Sequence, residues 1–430
     1  MMRKTELLSP AGTLKNLRYA LAYGADAVYA GQPRYSLRVR NNDFDLENLK
    51  TGIAEAHAMG RKVYVVVNIQ PHNAKLRTFR DDMREVMSLG PDALIMSDPG
   101  LMMLLKEDWP EACIHLSVQA NAVNWATVKF YERFGVSRVI LSRELSIDEI
   151  EEIRQRCPDI ELEVFVHGAL CMAYSGRCLL SGYLNHRDPN QGTCTNACRW
   201  KYSIKPAVED DLGNIVALGH TTQPALLAEE TRPDELMSAF EDEHGTYIFN
   251  SRDLKAVRLV EQLVKIGVDS LKIEGRTKSF YYVARTAQIY RRAIDDALAG
   301  RPYNPALSRE LDTLAARGTT EGFLVRKNHS EYQNYQQGTS VCSSAVLAGE
   351  ITGADGTMAY VDVRNRFQEG DDIRIITPNG DFDAKVANML DQKKNPVAVA
   401  PGDGHKVCLP LGMSADQLKH GIVLKLLGRP

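Results

Sequence analysis

Four thiols crowd into 28 residues of a 430-residue chain, spaced Cys171-x6-Cys178-x15-Cys194-x3-Cys198. The other four cysteines, Cys113, Cys157, Cys342 and Cys408, stand singly, as thiols packed like small apolar side chains do. Three chemistries compete for the group of four. Disulfides need an oxidising compartment, and the N-terminus Met1-Met-Arg-Lys-Thr-Glu-Leu-Leu-Ser-Pro10 lacks the apolar core of a signal peptide. Structural zinc favours two Cys-x2-4-Cys knuckles, whereas the first pair here encloses six residues. A four-thiolate iron–sulfur cluster accepts irregular spacing, because its ligands come from a loop wrapped around a cubane. Gly168, Gly176 and Gly192 let such a loop turn sharply. The order is cluster, then zinc, then plain thiols. The radical-SAM spacing Cys-x3-Cys-x2-Cys is absent, since Lys201 holds the third position after Cys198.

Further polar residues sit where chemistry is possible. His167 lies four residues before Cys171, although a histidine there also serves simply to satisfy a backbone carbonyl. Lys272, Glu274 and Arg276 alternate at a strand end and therefore share one face. Three charges on one face want a partner, an anionic small molecule or a phosphate. A mutual ion-pair network is the plainer reading. Arg143, in Ser142-Arg143-Glu144, joins them by position in the repeat described below. Two stretches mix arginine with aromatics: Arg34, Tyr35, Arg38 and Arg40, and Arg276 to Arg292 with Phe280, Tyr281, Tyr282 and Tyr290. Such mixtures suit phosphate contact with base stacking, but composition favours a solvated helix face.

The elements that must position these groups recur. A helix ends in glycine, a short polar step follows, and then a β-branched apolar run: Gly24 to Gly31, Gly60 to Asn68, Gly90 to Asp98, Gly135 to Arg143 and Gly267 to Glu274. Adding Glu6–Leu8, Ile114–Val118 and Glu161–Val166 makes eight strands at roughly 30-residue spacing, the pattern of an α/β, parallel (β/α)8 TIM-like barrel. A doubly wound open sheet is disfavoured, because no Gly-x-Gly-x-x-Gly follows a strand. In a barrel, function sits at the strand C-terminal mouth. That puts Ser9, Tyr29, Asn68, Ser97, Gln119, Ser142, Arg143, His167, Lys272, Glu274 and Arg276 there, with Asn68, Ser97 and Ser142 each explicable as helix caps. The expected domains are a barrel over 1–300 with a cysteine-rich insertion at 171–250, a linker at 301–338, and a small C-terminal β-barrel at 339–430. Within the insertion, 206–240 reads as a polar excursion with weak structural signal.

Composition is that of an ordinary soluble protein, 44% hydrophobic and 25% charged. No run of 18 apolar residues suggests a membrane span, and the expected compartment is the cytoplasm. A net charge of −3 gives no general pull on nucleic acid, so RNA binding requires a local basic face.

Longer motifs add a resemblance. Glu6-Leu-Leu-Ser-Pro-Ala-Gly12, Ser117-Val-Gln-Ala-Asn121, Glu163-Val-Phe-Val-His-Gly-Ala-Leu-Cys171, Ser175-Gly-Arg-Cys178, Asn190-Gln-Gly-Thr-Cys-Thr-Asn-Ala-Cys-Arg199 and Lys272-Ile-Glu-Gly-Arg-Thr-Lys278 resemble the collagenase-like unknown-type peptidase family thirty-two. The likeness is strongest to its tRNA hydroxylation branch and covers nearly the whole chain. It implies a tRNA-modifying enzyme that hydroxylates carbon 5 of the wobble uridine, the first step toward 5-oxyacetyl or 5-methoxyuridine. It also implies prephenate as co-substrate, tRNA (through its anticodon loop) and the iron–sulfur assembly machinery as partners, and a cluster, a 4Fe-4S cubane by ligand count, on Cys171, Cys178, Cys194 and Cys198. His167, Lys272, Glu274, Arg276 and Arg143 are the candidate catalytic residues. Proteolysis is the rival activity, but His-Glu-x-x-His and Gly-x-Ser-x-Gly are both missing. A non-catalytic RNA-binding iron–sulfur protein is the third reading.

Overall fold

The computed structural model describes residues 4–32, 34–37, 43–170, 252–314, 318–325 and 345–427, together with the backbone of five short strands between 207 and 247. Eight parallel strands run β1 (Glu6–Ala11), β2 (Ala27–Gly31), β3 (Lys62–Val67), β4 (Ala93–Met96), β5 (Ile114–Leu116), β6 (Arg138–Ile140), β7 (Glu161–Gly168) and β8 (Ser270–Ile273). Each pairs with the next, and β8 pairs with both β7 and β1, so the sheet closes. The barrel is the one the repeat predicts. At the repeated junctions the glycine has a positive φ, from 63° at Gly60 to 102° at Gly24, a backbone state that would strain a side chain.

Helices α1 (Leu14–Ala22), α2 (Leu46–Ala58), α3 (Asn73–Ser88), α4 (Pro99–Asp108), α5 (Trp125–Arg133), α6 (Ile147–Arg156), α7 (Val260–Ile266) and α8 (Phe280–Leu298) follow the strands in order, α7 excepted. Capping is local and specific: Asp98 accepts from the Leu101 N–H at 2.8 Å, and Ser146 with Glu149 forms a capping box on α6. Among the described residues, no helix is long and apolar enough to cross a membrane.

The insertion leaves the barrel at the C-terminal end of β7. Asp253–Lys255 returns antiparallel to that same end, pairing Leu254 with Gly168 and Lys255 with His167. The stretch read as a polar excursion with weak structural signal holds antiparallel strands, 207–209 with 215–217, and 232–242 with both 225–229 and 245–247. Residues 305–314 and 318–325 pack onto the barrel, with Leu307, Leu311 and Leu324 in its core and Thr319 and Thr320 paired to Asp253 and Leu254.

The C-terminal domain is a seven-stranded antiparallel sheet whose main strands are β9 (Ala345–Asp355), β10 (Met358–Val363), β11 (Asp372–Thr377), β12 (Gly380–Lys385), β13 (Leu390–Asp391), β14 (Lys406–Pro410) and β15 (Ile422–Leu426). The order is β12-β11-β15-β9-β10-β14-β13. Its core holds Val361, Val363, Phe367, Ile373, Ile375 and Val423. It docks on α1 and α8: Ile376, Ile422 and Leu424 join the barrel core, and the Tyr23 hydroxyl reaches the carbonyls of Ile376 and His420 at 2.9 and 2.8 Å.

Candidate functional site at the barrel mouth

The barrel interior is charged rather than oily. Glu163 on β7 is fully buried, with Lys272 Nζ at 2.8 Å and Arg138 Nη1 at 3.1 Å. Arg138 reaches Glu6 at 2.6 Å, and Glu6 also accepts from Tyr64 at 2.7 Å. The chain Glu6–Arg138–Glu163–Lys272 thus climbs from the strand N-termini toward the mouth. Burial pushes the Glu163 carboxyl up, but Lys272 and Arg138 outweigh it and hold it below the usual carboxylate range. Burial lowers Lys272 against the pull of Glu163. His115, whose Nδ1 finds no hydrogen-bond partner among the described residues, is pushed well down by burial and then by Arg138 and Lys272, so it stays neutral.

Above this chain the candidate residues gather. Lys272 Nζ stands 4.3 Å from the Tyr29 ring centre, and Tyr29 donates to the Ile273 carbonyl at 2.9 Å. Arg143 stacks 4.0 Å over Phe165, donates to the Ala169 carbonyl at 3.2 Å and lies 3.6 Å from Glu274. Glu274 is 3.4 Å from the Tyr29 hydroxyl. Arg276 donates to Ser36 Oγ at 2.6 Å and to the Leu37 carbonyl, which holds it across the end of β2. Four of the five predicted catalytic residues therefore share one mouth.

His167 is the fifth, and its side chain goes elsewhere. The β7–β8 register pairs Phe165 with Lys272 but His167 with Ile273, so one residue is skipped. This bulge breaks the alternation that would aim His167 inward. Its ring packs at 5.5 Å from Tyr290 and 5.7 Å from Tyr282, under α8. The Tyr290 hydroxyl donates to the Val166 carbonyl at 2.8 Å, so His167 Nδ1, 3.2 Å away, donates to it. Burial drives the imidazole down to about 3, and it is neutral. Only its backbone reaches the mouth, where the carbonyl accepts from the Glu274 N–H at 2.8 Å.

The residues read as possible caps brace the mouth instead. Asn68 accepts from the Leu37 N–H and donates to Ser117 Oγ, both at 3.1 Å, while Ser97 donates to the Asn68 carbonyl. Gln119, just beyond, keeps a buried Oε1 with no hydrogen-bond donor among the described residues. Sequence reasoning missed Glu163, Arg138 and Glu6. A glutamate and an arginine at inward strand positions were the signal that could have found them.

The arginine–aromatic stretch after β8 is not an open RNA face. Arg285 is fully buried and pairs with Asp381 at 2.7 Å and Glu310 at 3.1 Å. Arg291 pairs with Asp26 and Asp295, and Arg292 with Glu310. Arg34 pairs with Asp82 at 2.6 Å, while Arg38 and Arg40 lie outside the described residues.

Cys171, Cys178, Cys194 and Cys198 also lie outside the described residues. What is described is their point of departure: β7 ends at Gly168, and Ala169 already touches Arg143. Among the described residues, the Cys–His contact is Cys113 Sγ to His115 Nε2 at 3.8 Å, at the start of β5.

Residues 12–334 match the model of peptidase family U32, and 344–424 match its C-terminal domain. The chain belongs to peptidase family U32. Relatives within it carry other activities in their names. A tRNA hydroxylation protein P of Escherichia coli is 62% identical over 99% of this chain and 97% of its own length. One from Haemophilus influenzae is 61% identical over 94% and 93%. A 23S rRNA 5-hydroxycytidine C2501 synthase of Escherichia coli is 32% identical over 75% of this chain and 43% of its own length.

Proposed function

We propose that this chain is a tRNA-hydroxylating enzyme that installs the 5-hydroxyl of a wobble uridine, with prephenate as co-substrate and an iron–sulfur cluster on Cys171, Cys178, Cys194 and Cys198. The observation that carries the reading is near full-length identity of 62% to a named tRNA hydroxylation protein. The mouth supports it chemically. Replacing a C5 hydrogen by hydroxyl is a two-electron oxidation, so the site must admit an oxygen source and an electron acceptor besides the base.

Two arginines, Arg143 and Arg276, flank the Tyr29–Glu274 contact and suit a dianionic co-substrate such as prephenate. Lys272 contributes positive potential from below, its charge largely matched by Glu163. Arg143, lying flat on Phe165, offers a guanidinium plane on which an extruded base can stack. The buried Oε1 of Gln119 is an acceptor suited to an imide N–H such as uracil presents. Four thiolates are a soft donor set that suits an iron–sulfur cubane. Such a cluster supplies electron transfer or holds the mouth in shape.

The test uses protein purified without air, with prephenate, an added electron acceptor such as ferricyanide, water as the oxygen source and an unmodified tRNA transcript. Nucleoside mass spectrometry should find one added oxygen on the wobble uridine. Arg143→Ala or Arg276→Ala should lower the yield by about a hundredfold or more. Gelatin cleavage with no nucleoside change would favour proteolysis.

A further inference from the structure

An RNA substrate carries a phosphate backbone, yet most arginines of the two basic stretches end in ion pairs. Cations converge instead on the seam between the two domains. A groove of about 600 Å³ opens there. Its barrel wall is Lys15, Arg18 and Tyr19 of α1, and its far wall includes Gly353, Lys419 and His420 of the C-terminal domain.

Lys15 and Arg18 each pair with a carboxylate, Glu350 and Glu55, at the rim of the groove. Lys15 and Arg18 side chains remain 41% and 47% exposed. Lys419 is exposed, and its ammonium makes no ion pair among the described residues. Arg18 pairs with Glu55 at the surface, a contact worth little in water. Of the two carboxylates in the lining, Glu350 is turned to internal use by Lys15, Tyr19 and Arg364, and Asp416 sits exposed.

The groove also adjoins the mouth. Asn16 of α1 donates to the Lys278 carbonyl at 3.0 Å, and Lys278 lies two residues beyond Arg276. Lys15 Nζ stands 4.1 Å over the ring of Phe280, the first residue of α8. The α1 wall of the groove is thereby joined to the segment that follows Arg276 at the mouth.

We propose that this interdomain groove grips the phosphate backbone of the RNA while the target base occupies the barrel mouth. The inference rests on the RNA reading given above. It gives the C-terminal domain a part in binding, because Lys419 and His420 close the second side of a channel that α1 alone would leave open. Backbone contact of this kind is indifferent to sequence and sensitive to salt.

The experiment measures binding of a tRNA transcript to the full chain by fluorescence anisotropy across a salt series. The double variant Lys419→Glu/Arg18→Gln should bind about tenfold more weakly, and its salt dependence should fall by about one to two in log–log slope. Its melting temperature should match wild type. Lys50→Glu, an exposed α2 residue away from the groove, should leave affinity within about twofold. Equal affinity and slope in the double variant and wild type would overturn the groove proposal while leaving the hydroxylase reading intact. A wild-type chain that neither binds nor modifies tRNA would overturn both.

Discussion

Lys272 enters the barrel with its counter-ion already in place, and this decides how its loss should read. Removing the ammonium leaves Glu163 fully buried with Arg138 alone. Lys272→Ala should therefore destabilise the fold by about 3 kcal/mol as well as impair activity. Adding Glu163→Leu should recover most of that stability but none of the activity. Denaturant unfolding of the single and double variants checks this, and an undiminished single variant would refute the buried pair. His167 gives a pH signature. Its folded pKa is depressed from 6.5 to about 3, so the unfolded chain binds the proton more readily. Stability from this group is present above about pH 6.5 and is lost as pH falls toward 3, on the order of 2 kcal/mol by about pH 4.5. His167→Phe should flatten that part of the acid limb in thermal melts. The charges at 272, 274 and 276 were legible from their alternation, but the partner of Lys272 was not. Glu163 lies 109 residues away, and only barrel closure brings the two together.

At the scale of elements, periodicity carried the barrel. The glycine-ended junction repeats in one local form before five strands, and three further apolar runs fit the same spacing, so all eight strands could be found without tertiary information. Two features escaped. The β7 bulge depends on how β8 pairs across the closure, and a one-residue skip has no mark in a run such as Glu-Val-Phe-Val-His. Helix α8 reads as amphipathic and basic, yet docking of the second domain buries Arg285 and Gln288 on what composition suggests is an open face. The β2 end supplies a prediction. A Cβ on Gly31 would fall 2.2 Å from Arg276 Nη1 and 2.4 Å from Ser36 Oγ. Gly31→Ala should displace Arg276 and reproduce the activity loss of Arg276→Ala, with overpacking costing only about 1–2 kcal/mol. Full activity in Gly31→Ala would show that Arg276 need not hold its observed place.

For the whole molecule, a closed barrel with a charged lumen delivers Arg143, Lys272, Glu274 and Arg276 to one mouth, and the thiol-bearing segment departs from the same rim. A second domain sits on α1 and α8, fixed by Tyr23, Arg285 and shared apolar residues. The central claim is that this assembly hydroxylates tRNA. It is tested most directly by nucleoside mass spectrometry of tRNA from a strain lacking the gene, with the gene resupplied in wild-type or Cys→Ala form. Wobble 5-hydroxyuridine derivatives should vanish on deletion and return with the wild-type gene. They should stay absent when Cys171, Cys178, Cys194 or Cys198 is replaced, and return when Cys113 is. Unchanged wobble modification in the deletion strain would contradict the account.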